Sequence, residues 1–522
     1  MGDKTLGKSW RDQLSTETRT STEADGAIST ERVPGLTILA HPDTNRVGEV
    51  AVLPGLVGGR AEELSRLSPR FAPTDGGEAR PLAEARISRQ PIVLKPKGQS
   101  VLLEPGGTRT RLLVNGEVVR DAVVVEPDED VVLVLAARVA LVLHLMDPRV
   151  VDLPHYGMIG ESMALAAVRR DIARVADLPY AVLLRGESGT GKELVARALH
   201  DAGPRRAGPF LSVNMAAIPP ALATAELFGA SRGAFTGAGA GHPGYFERAN
   251  GGTLFLDEIG ATPPEIQPLL LRALENGELQ PVGGTAPRKV DVRVVSATDS
   301  DLSASSVGFH SPLLHRLAAY EIELPPLRQR RADVGRLFFH FLRQELLTVG
   351  EPERLEQAGW VPAGLVARLA LYRWPGNVRQ LRNVARQVAV ASRGAEVLEL
   401  PERLEKLLLE KLPRSKLPKS QPPTQASFRE PSDVSVEELR AVLASCDWEV
   451  KPAAAALGVS RGSLYNLMER HGIRRASQLE RDEILAVLDD REDLAAAASR
   501  LEVSQRGLRL RWRELQGSSP DS

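Results

Sequence analysis

The chain has 522 residues, which is too long for one hydrophobic core, so about three domains are expected. Its 66 basic and 67 acidic residues give a formal net charge of −1, which excludes a general attraction to nucleic acid or membrane and leaves only local patches. A single cysteine excludes a disulfide framework, and residues 1–27 lack an apolar signal core, so a cytoplasmic protein is expected. The longest apolar run, residues 131–146, is too short to span a bilayer and predicts paired strands.

Residues 1–34 are rich in Ser, Thr and charge, and this composition predicts disorder. Residues 35–150 contain short apolar runs separated by turn residues, a pattern typical of a β-sandwich. Asn115-Gly116 lies between two such runs and predicts a two-residue hairpin.

Three pieces of this segment resemble a forkhead-associated domain, a sandwich that binds phosphothreonine: Gly59-Arg60, Ile87-Ser88-Arg89 and Val114-Asn115-Gly116. The resemblance implies that Arg60, Ser88 and Arg89 grip the phosphate, whose oxygens accept strong hydrogen bonds. Pro91 stands where the family has a structural histidine, and residues 107–109 lack the usual asparagine. The alternative is a sandwich that docks on its neighbour and binds no phosphate.

A glycine-rich loop follows an apolar run and precedes a helical pattern; its residues are Gly186, Glu187, Ser188, Gly189, Thr190, Gly191, Lys192 and Glu193. This spacing is typical of a phosphate-binding loop, in which backbone N–H groups and a helix N-terminus face the anion. Lys192 would reach the outer phosphates, whereas Glu193 stands where many such loops carry the Ser or Thr that holds magnesium. The alternative is a glycine-rich turn that binds nothing.

A further apolar run ends in Asp257-Glu258. Beside a phosphate loop, Asp257 would hold magnesium and Glu258 would polarise the attacking water, although such a pair can also be a solvated loop start. Strands alternate with helices over residues 157–392, which predicts a mostly parallel sheet with ligands at the carboxyl ends of its strands.

The segment GAFTGA carries one aromatic residue among small ones, and its residues are Gly233, Ala234, Phe235, Thr236, Gly237 and Ala238. Composition leaves two options open, a Phe235 presented outward on a flexible loop and a Phe235 packed into the core.

Five motifs in this order resemble the central domain of bacterial sigma-54-dependent transcriptional activators, which are AAA+ ATPases: residues 186–193, 226–229 (ELFG), 233–238, 251–260 (GGTLFLDEIG) and 374–379 (WPGNVR). The resemblance implies an α/β P-loop domain with a helical lid, ATP and Mg²⁺ as cofactors, and a hexameric ring. It also implies that residues 233–238 contact sigma-54 RNA polymerase, with Phe235 and Thr236 at the tip.

The same resemblance assigns roles to three more residues. Asn214 would restrain Glu258, Arg379 would sense nucleotide from the lid, and Arg316 would reach the γ-phosphate of a neighbouring subunit, a contribution of about 10³ to 10⁵ in rate. Three positions depart from the family pattern, namely His310 for a second arginine, Asp299 for an asparagine and Pro281 for an arginine. An added carboxylate repels phosphate, so slow ATP turnover is expected.

Residues 393–432 are rich in proline and polar residues and predict an extended linker. Residues 433–476 have the pattern of a helix-turn-helix and resemble the Fis-type DNA-binding segment of the same family. The predicted DNA-binding residues are Ser460, Arg461, Ser463, Tyr465, Asn466 and Arg470; the alternative is a helical hairpin that only packs. Residues 477–522 repeat the design and are a possible degenerate second helix-turn-helix, whose role, DNA contact or packing, stays open.

The sequence therefore predicts a multidomain protein with a forkhead-associated-like sandwich, an AAA+ domain and a DNA-binding tail. The expected function is sigma-54-dependent transcriptional regulation, with upstream DNA, sigma-54 polymerase and a phosphothreonine protein as partners and no membrane contact. Two alternatives are an ATP-binding DNA tether with decayed catalysis and an AAA+ remodeller of another client.

Overall fold

The computed structural model describes residues 32–74, 76–147, 153–231, 241–302, 308–410, 434–446, 448–457, 459, 461–474, 476–487 and 494–516. These residues fall into two compact units, one up to residue 417 and one from residue 418. Most of the segment predicted to be disordered, residues 1–31, lies outside this description, but the first strand already begins at Val33 because Val33 and Pro34 pair with the strand that ends the sandwich. Within the described part of the chain, no helix is long and apolar enough to cross a membrane.

The first part of the larger unit is built from short strands in two antiparallel sheets, β2-β1-β10-β9-β6-β7 and β3-β4-β5-β8. Leu36, Phe71 and Leu141 belong to the core between them. Both residues of the Asn115-Gly116 turn have positive φ, as a two-residue hairpin requires. The elements are β1 (Val33–Ala40), β2 (Val50–Val52), α1 (Pro54–Val57), β3 (Glu62–Leu64), β4 (Ile92–Lys97), β5 (Ser100–Glu104), β6 (Leu112–Val114), β7 (Glu117–Val119), β8 (Val123–Val125), β9 (Val131–Leu135) and β10 (Val139–Met146).

The second part is a parallel sheet of five strands in the order β12-β13-β16-β11-β17, covered on both faces by helices. Its central strands β13, β16 and β11 are largely buried, as expected where both faces of a sheet are covered, whereas the edge strands β12 and β17 are partly exposed. The elements are α2 (Met163–Val175), β11 (Val182–Arg185), α3 (Lys192–Asp201), β12 (Phe210–Asn214), α4 (Pro220–Phe228), α5 (Tyr245–Arg248), β13 (Thr253–Asp257), α6 (Gln267–Asn276), β14 (Glu278–Leu279), β15 (Arg288–Lys289), β16 (Arg293–Thr298), α7 (Ser311–Leu317) and β17 (Tyr320–Glu323).

A helical lid follows, with α8 (Arg331–Val349), α9 (Ala363–Leu371), α10 (Asn377–Ala391) and α11 (Glu402–Glu410). The predicted linker at 393–432 begins too early. Leu398, Leu404 and Leu408 are buried in the lid core, because the leucines of α11 recur at helical spacing. Residues 411–433 lie outside the described residues.

The lid and the N-terminal sandwich share one hydrophobic core. In β9 and β10, alternate residues point into the sandwich and the residues between them point into the lid; in β1, the pairing is irregular between Ile38 and Ala40, and the consecutive Leu39 and Ala40 both belong to the lid core. Helices α8 and α9 contact these strands, and α10 belongs to the same core. The sheet residues on the lid side are Leu39, Ala40, Val132, Val134, Ala140 and Val142. The long apolar run at 131–146 therefore has apolar residues on both faces of its strands.

Two further details concern this junction between the sheet and the lid. His144 also lies within the run, and its Nε2 is 2.8 Å from Thr37 Oγ1. Burial lowers the pKa of His144 to about 4, so the ring stays neutral at pH 7. The backbone of helix α8 also approaches β1 closely, since a Cβ on Gly335 would lie 2.4 Å from the carbonyl oxygen of Leu39.

The buried carboxylate of Asp333 joins the lid to the parallel-sheet domain. It accepts hydrogen bonds from the backbone N–H groups of Glu161 and Ser162, both at 2.8 Å, and from the Ser162 hydroxyl at 2.6 Å. Ser162 in turn caps the N-terminus of α2. The Arg330 guanidinium donates to the same carboxylate at 2.9 Å, so the buried charge is paired.

The smaller unit is helical. Its elements are α12 (Val436–Ser445), α13 (Val450–Ala456), α14 (Arg461–Arg470), α15 (Arg481–Leu485), α16 (Leu494–Arg500) and α17 (Gln505–Gln516). Helices α12, α13 and α14 enclose one small core, and α15, α16 and α17 enclose a second.

The close approach of α8 to β1 can be tested with two glycines of the lid. We expect Gly335→Ala to lower the free energy of unfolding by about 1–3 kcal/mol, because the added methyl group pushes the helix off the sheet. Gly364→Ala is the matched control in α9, where a Cβ meets nothing within 4 Å, and it should be neutral or slightly stabilising. Urea unfolding followed by tryptophan fluorescence measures the free energy of unfolding of both variants, since Trp360 and Trp374 are buried in this core. Equal midpoints for the two variants would contradict the shared core.

Candidate functional site

The glycine-rich loop connects β11 to α3 at the carboxyl edge of the parallel sheet. Gly189 and Gly191 have φ values of 78° and 106°, which favour glycine. The Lys192 ammonium donates to the carbonyl of Gly186 at 2.8 Å, and the Thr190 hydroxyl donates to the carbonyl of Glu187 at 2.8 Å. The loop thus wraps around its own lysine, and its predicted binding of phosphate stays a prediction.

The lid holds this loop through Asn377, which is fully buried. Its Nδ2 donates to Glu187 Oε2 at 3.1 Å and to the Ser188 carbonyl at 3.0 Å, and its Oδ1 accepts from the N–H of Leu327 at 2.8 Å. The predicted lid residue Arg379 donates to the Ser188 hydroxyl at 3.0 Å. A movement of the lid therefore acts directly on the loop.

Arg328 completes the clamp with two hydrogen bonds to Glu187, at 2.6 and 2.9 Å. These bonds lower the pKa of Glu187 and keep it charged. Sequence reasoning assigned no role to Arg328 or to Asn377. Asn377 lies within the WPGNVR motif and could have been found there, whereas no pattern around Arg328 distinguishes it from other surface arginines.

The acidic pair lies at the end of β13, on the same edge of the sheet. Glu258 adopts a left-handed backbone with φ of 53°, and its N–H donates to Asp257 Oδ1 at 3.1 Å. Such a conformation is uncommon for a residue with a side chain and often marks a functional site.

Four charged groups surround Glu258. Burial raises the pKa of this carboxyl, the negative charges of Asp299 and Asp257 raise it further, and the positive charges of Lys192 and Arg379 lower it. The structure thus brings together the lysine of the loop, the acidic pair and the lid arginine, all predicted from separate motifs. It also places the unusual carboxylate of Asp299 where it acts on Glu258.

Asn214 pairs with Asp257 in the ladder between β12 and β13. Its Oδ1 accepts a hydrogen bond from the N–H of Ala216 at 2.9 Å, so part of the side chain stabilises the turn that follows β12. The predicted restraint of Glu258 by Asn214 stays a prediction.

Arg316 and His310 lie at opposite ends of α7. The exposed guanidinium of Arg316 donates twice to the Leu274 carbonyl of its own chain, at 3.2 and 2.9 Å. The N–H of His310 donates to Gln267 Oε1 at 2.7 Å, which leaves its ring exposed. The reach of Arg316 into a neighbouring subunit stays a prediction.

The predicted sigma-54 contact, residues 233–238, lies outside the described residues, but the base of this segment is described. Ala230 and His242 exchange backbone hydrogen bonds at 3.1 Å, and the carbonyl of Val282 accepts from the N–H of Ser231 at 2.9 Å. Pro281, the third departure from the family pattern, precedes Val282 and is buried.

The predicted phosphopeptide residues lie in the sandwich loops. Arg60 and Arg89 are exposed, and the Ser88 hydroxyl accepts from the N–H of Gln90 at 3.0 Å, which leaves its own hydrogen for an acceptor. Arg60 precedes β3 and Ser88 precedes β4, and these two strands pair antiparallel over three residues. Arg60 and Ser88 therefore lie toward opposite ends of the paired segment. Thr108 donates to the Gln90 carbonyl at 2.9 Å and so ties its loop to that of Ser88.

The predicted DNA-binding residues lie in α14. Asn466 and Arg470 are exposed, Ser463 and Tyr465 are half-buried, and Leu464, Leu467 and Met468 are buried as expected. Ser460 lies outside the described residues, and of Arg461 the structure describes only the backbone.

Comparison with known proteins identifies the central region. A family model described as the sigma-54 interaction domain matches residues 158–323, and one described as the AAA+ ATPase lid domain matches residues 328–420. Two relatives named DNA-binding transcriptional regulator NtrC are 49% identical over 255 residues (Salmonella typhimurium; 48% of this chain, 53% of that protein) and 50% identical over 234 residues (Azospirillum brasilense; 44% and 47%). The chain spans about half the length of the curated relatives it matches.

Among solved structures, NtrX from Brucella abortus in complex with ATP is 32% identical and aligns with 60% of this chain and 69% of that one, at a TM-score of 0.42. The two family matches fall on the parallel-sheet domain and on the helical lid as the structure defines them. Residues 158–323 are therefore similar to the sigma-54 interaction domain, and residues 328–420 are similar to the AAA+ ATPase lid domain.

Proposed function

We propose that the protein is a sigma-54-dependent transcriptional activator that binds DNA through its tail and hydrolyses ATP to remodel sigma-54 RNA polymerase. The observation that carries this proposal is the convergence of Lys192, Asp257-Glu258 and Arg379 within a region that matches the sigma-54 interaction domain. The relatives named as DNA-binding transcriptional regulators support the same function.

Each residue of the site has a part in hydrolysis. The loop N–H groups and Lys192 bind the phosphates of ATP, and Glu258 accepts the proton of the attacking water. Arg379 is placed to contact the nucleotide from the lid, because it already reaches Ser188 in the loop. Asn377 and Arg328 position the loop through Glu187, so they act on the nucleotide indirectly.

Asp257 is the residue that would hold Mg²⁺. One carboxylate at a strand end suits an ion that takes its remaining ligands from phosphates and water. Glu193 stands in place of the usual Ser or Thr and is exposed on the first turn of α3. A bound Mg²⁺ would neutralise charge on the phosphates during transfer.

A ring of subunits, hexameric in the family that the sequence resembles, explains Arg316. Its guanidinium bonds only to the Leu274 carbonyl among the contacts described, and exchanging that neutral acceptor for a neighbour's γ-phosphate would gain a charge-assisted bond. The segment 233–238 would then contact sigma-54, and Ala230 and Val282 hold the described base of this segment against the domain.

The sandwich would gate the ATPase through the lid. Because β1, β9 and β10 share a core with α8, α9 and α10, an input at the sandwich acts on the body that carries Asn377 and Arg379. We propose that the input is a phosphothreonine protein bound by Arg60, Ser88 and Arg89.

Two observations favour a second candidate, an ATP-binding DNA tether with slow or decayed catalysis. Asp299 raises the pKa of Glu258, and His310 stands where the family has an arginine. A phosphate-release assay separates the two: turnover at a rate that supports promoter opening removes this candidate.

The central test is sigma-54-dependent transcription in vitro. Lys192→Ala should abolish both ATP hydrolysis and transcription, because the phosphates lose their cation. Thr236→Ala should leave hydrolysis intact and abolish transcription, because it removes only the contact to sigma-54. Transcription by the Thr236→Ala variant at the native level would refute the assigned role of this segment, and a native chain inactive with every sigma-54 promoter tried would refute the function.

Asp299→Asn tests the electrostatics of the site. Glu258 must be deprotonated to accept a proton, so hydrolysis falls as the pH drops through its raised pKa. Removing the charge of Asp299 lowers that pKa, and the acidic limb of the rate profile should therefore move to lower pH. Phosphate release between about pH 5 and 9 measures the shift. Asp201→Asn is the control, because Asp201 is exposed and lies at the end of α3 opposite to Lys192; an equal shift in both variants would contradict the assignment.

The sandwich can be tested by calorimetry with a panel of phosphothreonine peptides. A binding peptide should lose about 10- to 100-fold in affinity with Arg60→Ala or with Ser88→Ala, since a hydrogen bond to a charged group contributes about 1.5–3 kcal/mol. Arg120→Ala, at another exposed arginine of the sandwich, is the control. If no peptide of the panel binds, the sandwich acts only by docking on the lid.

A further inference from the structure

The helical tail contains the same structural unit twice, and the second copy takes no part in the function proposed above. Five buried positions of the first copy recur 44 residues later with the same residue type, and four of them are buried again. The first copy has Ala453, Ala454, Leu457, Val459 and Leu464, and the second has Ala497, Ala498, Leu501, Val503 and Leu508.

The turn between the last two helices is also the same in both copies. In the first, the N–H of Val459 donates to the Ala454 carbonyl at 3.0 Å; in the second, the N–H of Val503 donates to the Ala498 carbonyl at 3.1 Å. Glu502 adopts a left-handed backbone with φ of 51°, at the position that corresponds to Gly458. The second copy thus keeps the turn although it lacks the glycine that favours it.

The second copy has its own core, so it does not depend on the first for burial of its apolar residues. Ile484, Ala498 and Leu508 are nearly inaccessible, and Trp512 packs against them. Between the copies, Arg474 pairs with Glu483 at 2.8 Å, and Ala476, which precedes the second copy, packs against its core. Within the second copy, Arg511 Nε donates to the Leu479 carbonyl at 3.1 Å.

Helix α17 differs from α14 in chemistry. Positions 506, 509 and 513 are all arginine, and their spacing of three and four residues puts these positions on one face of the helix, away from the core positions 508 and 515. Arg509, which is exposed, corresponds to Tyr465 of the first copy, and Leu510 corresponds to Asn466. Leucine offers no hydrogen bond to a base edge, whereas arginines suit phosphates.

We propose that helices α15, α16 and α17 belong to a second helix-turn-helix whose helix α17 binds the phosphate backbone of duplex DNA beside the site contacted by α14. The partner follows from charge: α17 carries four arginines and a single acidic residue in a protein of nearly neutral net charge. Its contribution is independent of base sequence, because phosphate contacts set affinity and position but read no bases. This inference rests on the proposed DNA binding by the tail.

The alternative is that the second copy only supports the first. A cleft of about 270 Å³ lies between the copies, lined by Trp448, Tyr465 and Met468 on one side and by Val503, Gly507 and Leu510 on the other. In that case the arginines of α17 would not matter, and only the packing of α15, α16 and α17 would affect DNA affinity.

The salt dependence of binding by the full chain to a mixed-sequence duplex separates these possibilities. Replacing Arg506, Arg509 and Arg513 by alanine should reduce the slope of log K against log salt by about 2–3, since each phosphate contact contributes about 0.9. Affinity should fall equally for all sequences. Arg393→Ala with Arg403→Ala removes exposed arginines from the lid and should leave the slope unchanged.

Three further results decide between direct phosphate contact and a support role. An unchanged slope in the triple variant, together with weaker binding by Leu508→Ala, would overturn the proposal in favour of a support role. Asn466→Ala should reduce the preference for a specific site without changing the slope, and it shows whether the first copy is active. If the native chain has no salt-dependent affinity for DNA, the proposed DNA binding itself fails, which is a different result from an unchanged slope. Circular dichroism of each variant shows that the helices are retained.

Discussion

The core shared by the six-stranded sheet and the lid is the constraint on which the larger unit depends. Three strands of that sheet are apolar on both faces, so neither the sandwich nor the lid can bury its residues alone. Gly335 lets α8 lie directly on the backbone of β1. A sheet that is covered on both sides behaves as an interior layer, and the N-terminal region is therefore a structural part of the lid.

The lid is also the element that meets the nucleotide loop. Asp333 fixes the start of α8 to the N-terminus of α2, and Asn377 fixes the start of α10 to the glycine-rich loop. The lid helices thus contact the sandwich, the N-terminus of α2 and the phosphate-binding loop. A small rotation of the lid would change the contacts at all three places, because packed interfaces of this kind shift between discrete arrangements and do not deform gradually.

Much of this arrangement could be predicted from the sequence. The strand pattern of residues 131–146, the phosphate loop and the Asp257-Glu258 pair are local patterns, and the structure places each as expected. The packing of the sandwich on the lid could not be predicted, because a residue such as Val142 has the same apolar character whether it faces its own sheet partner or a distant helix. The role of Arg328 depends on a contact 141 positions away in the chain, which no local pattern contains. Leu404 and Leu408 show the same limit. The proline-rich sequence that follows them led to the prediction of a linker, although both leucines belong to a helix that packs in the lid core.

The two-faced sheet has a consequence for the evolution and engineering of this protein. Input modules that hang on flexible tethers can be exchanged between regulators by recombination at the tether. Here a cut after residue 147 would separate a layer from the helices that cover it, so the sandwich and the lid must be inherited, or transplanted, as one piece. A sensor grafted onto this ATPase would have to bring matching helices with it, or coevolve with those already present.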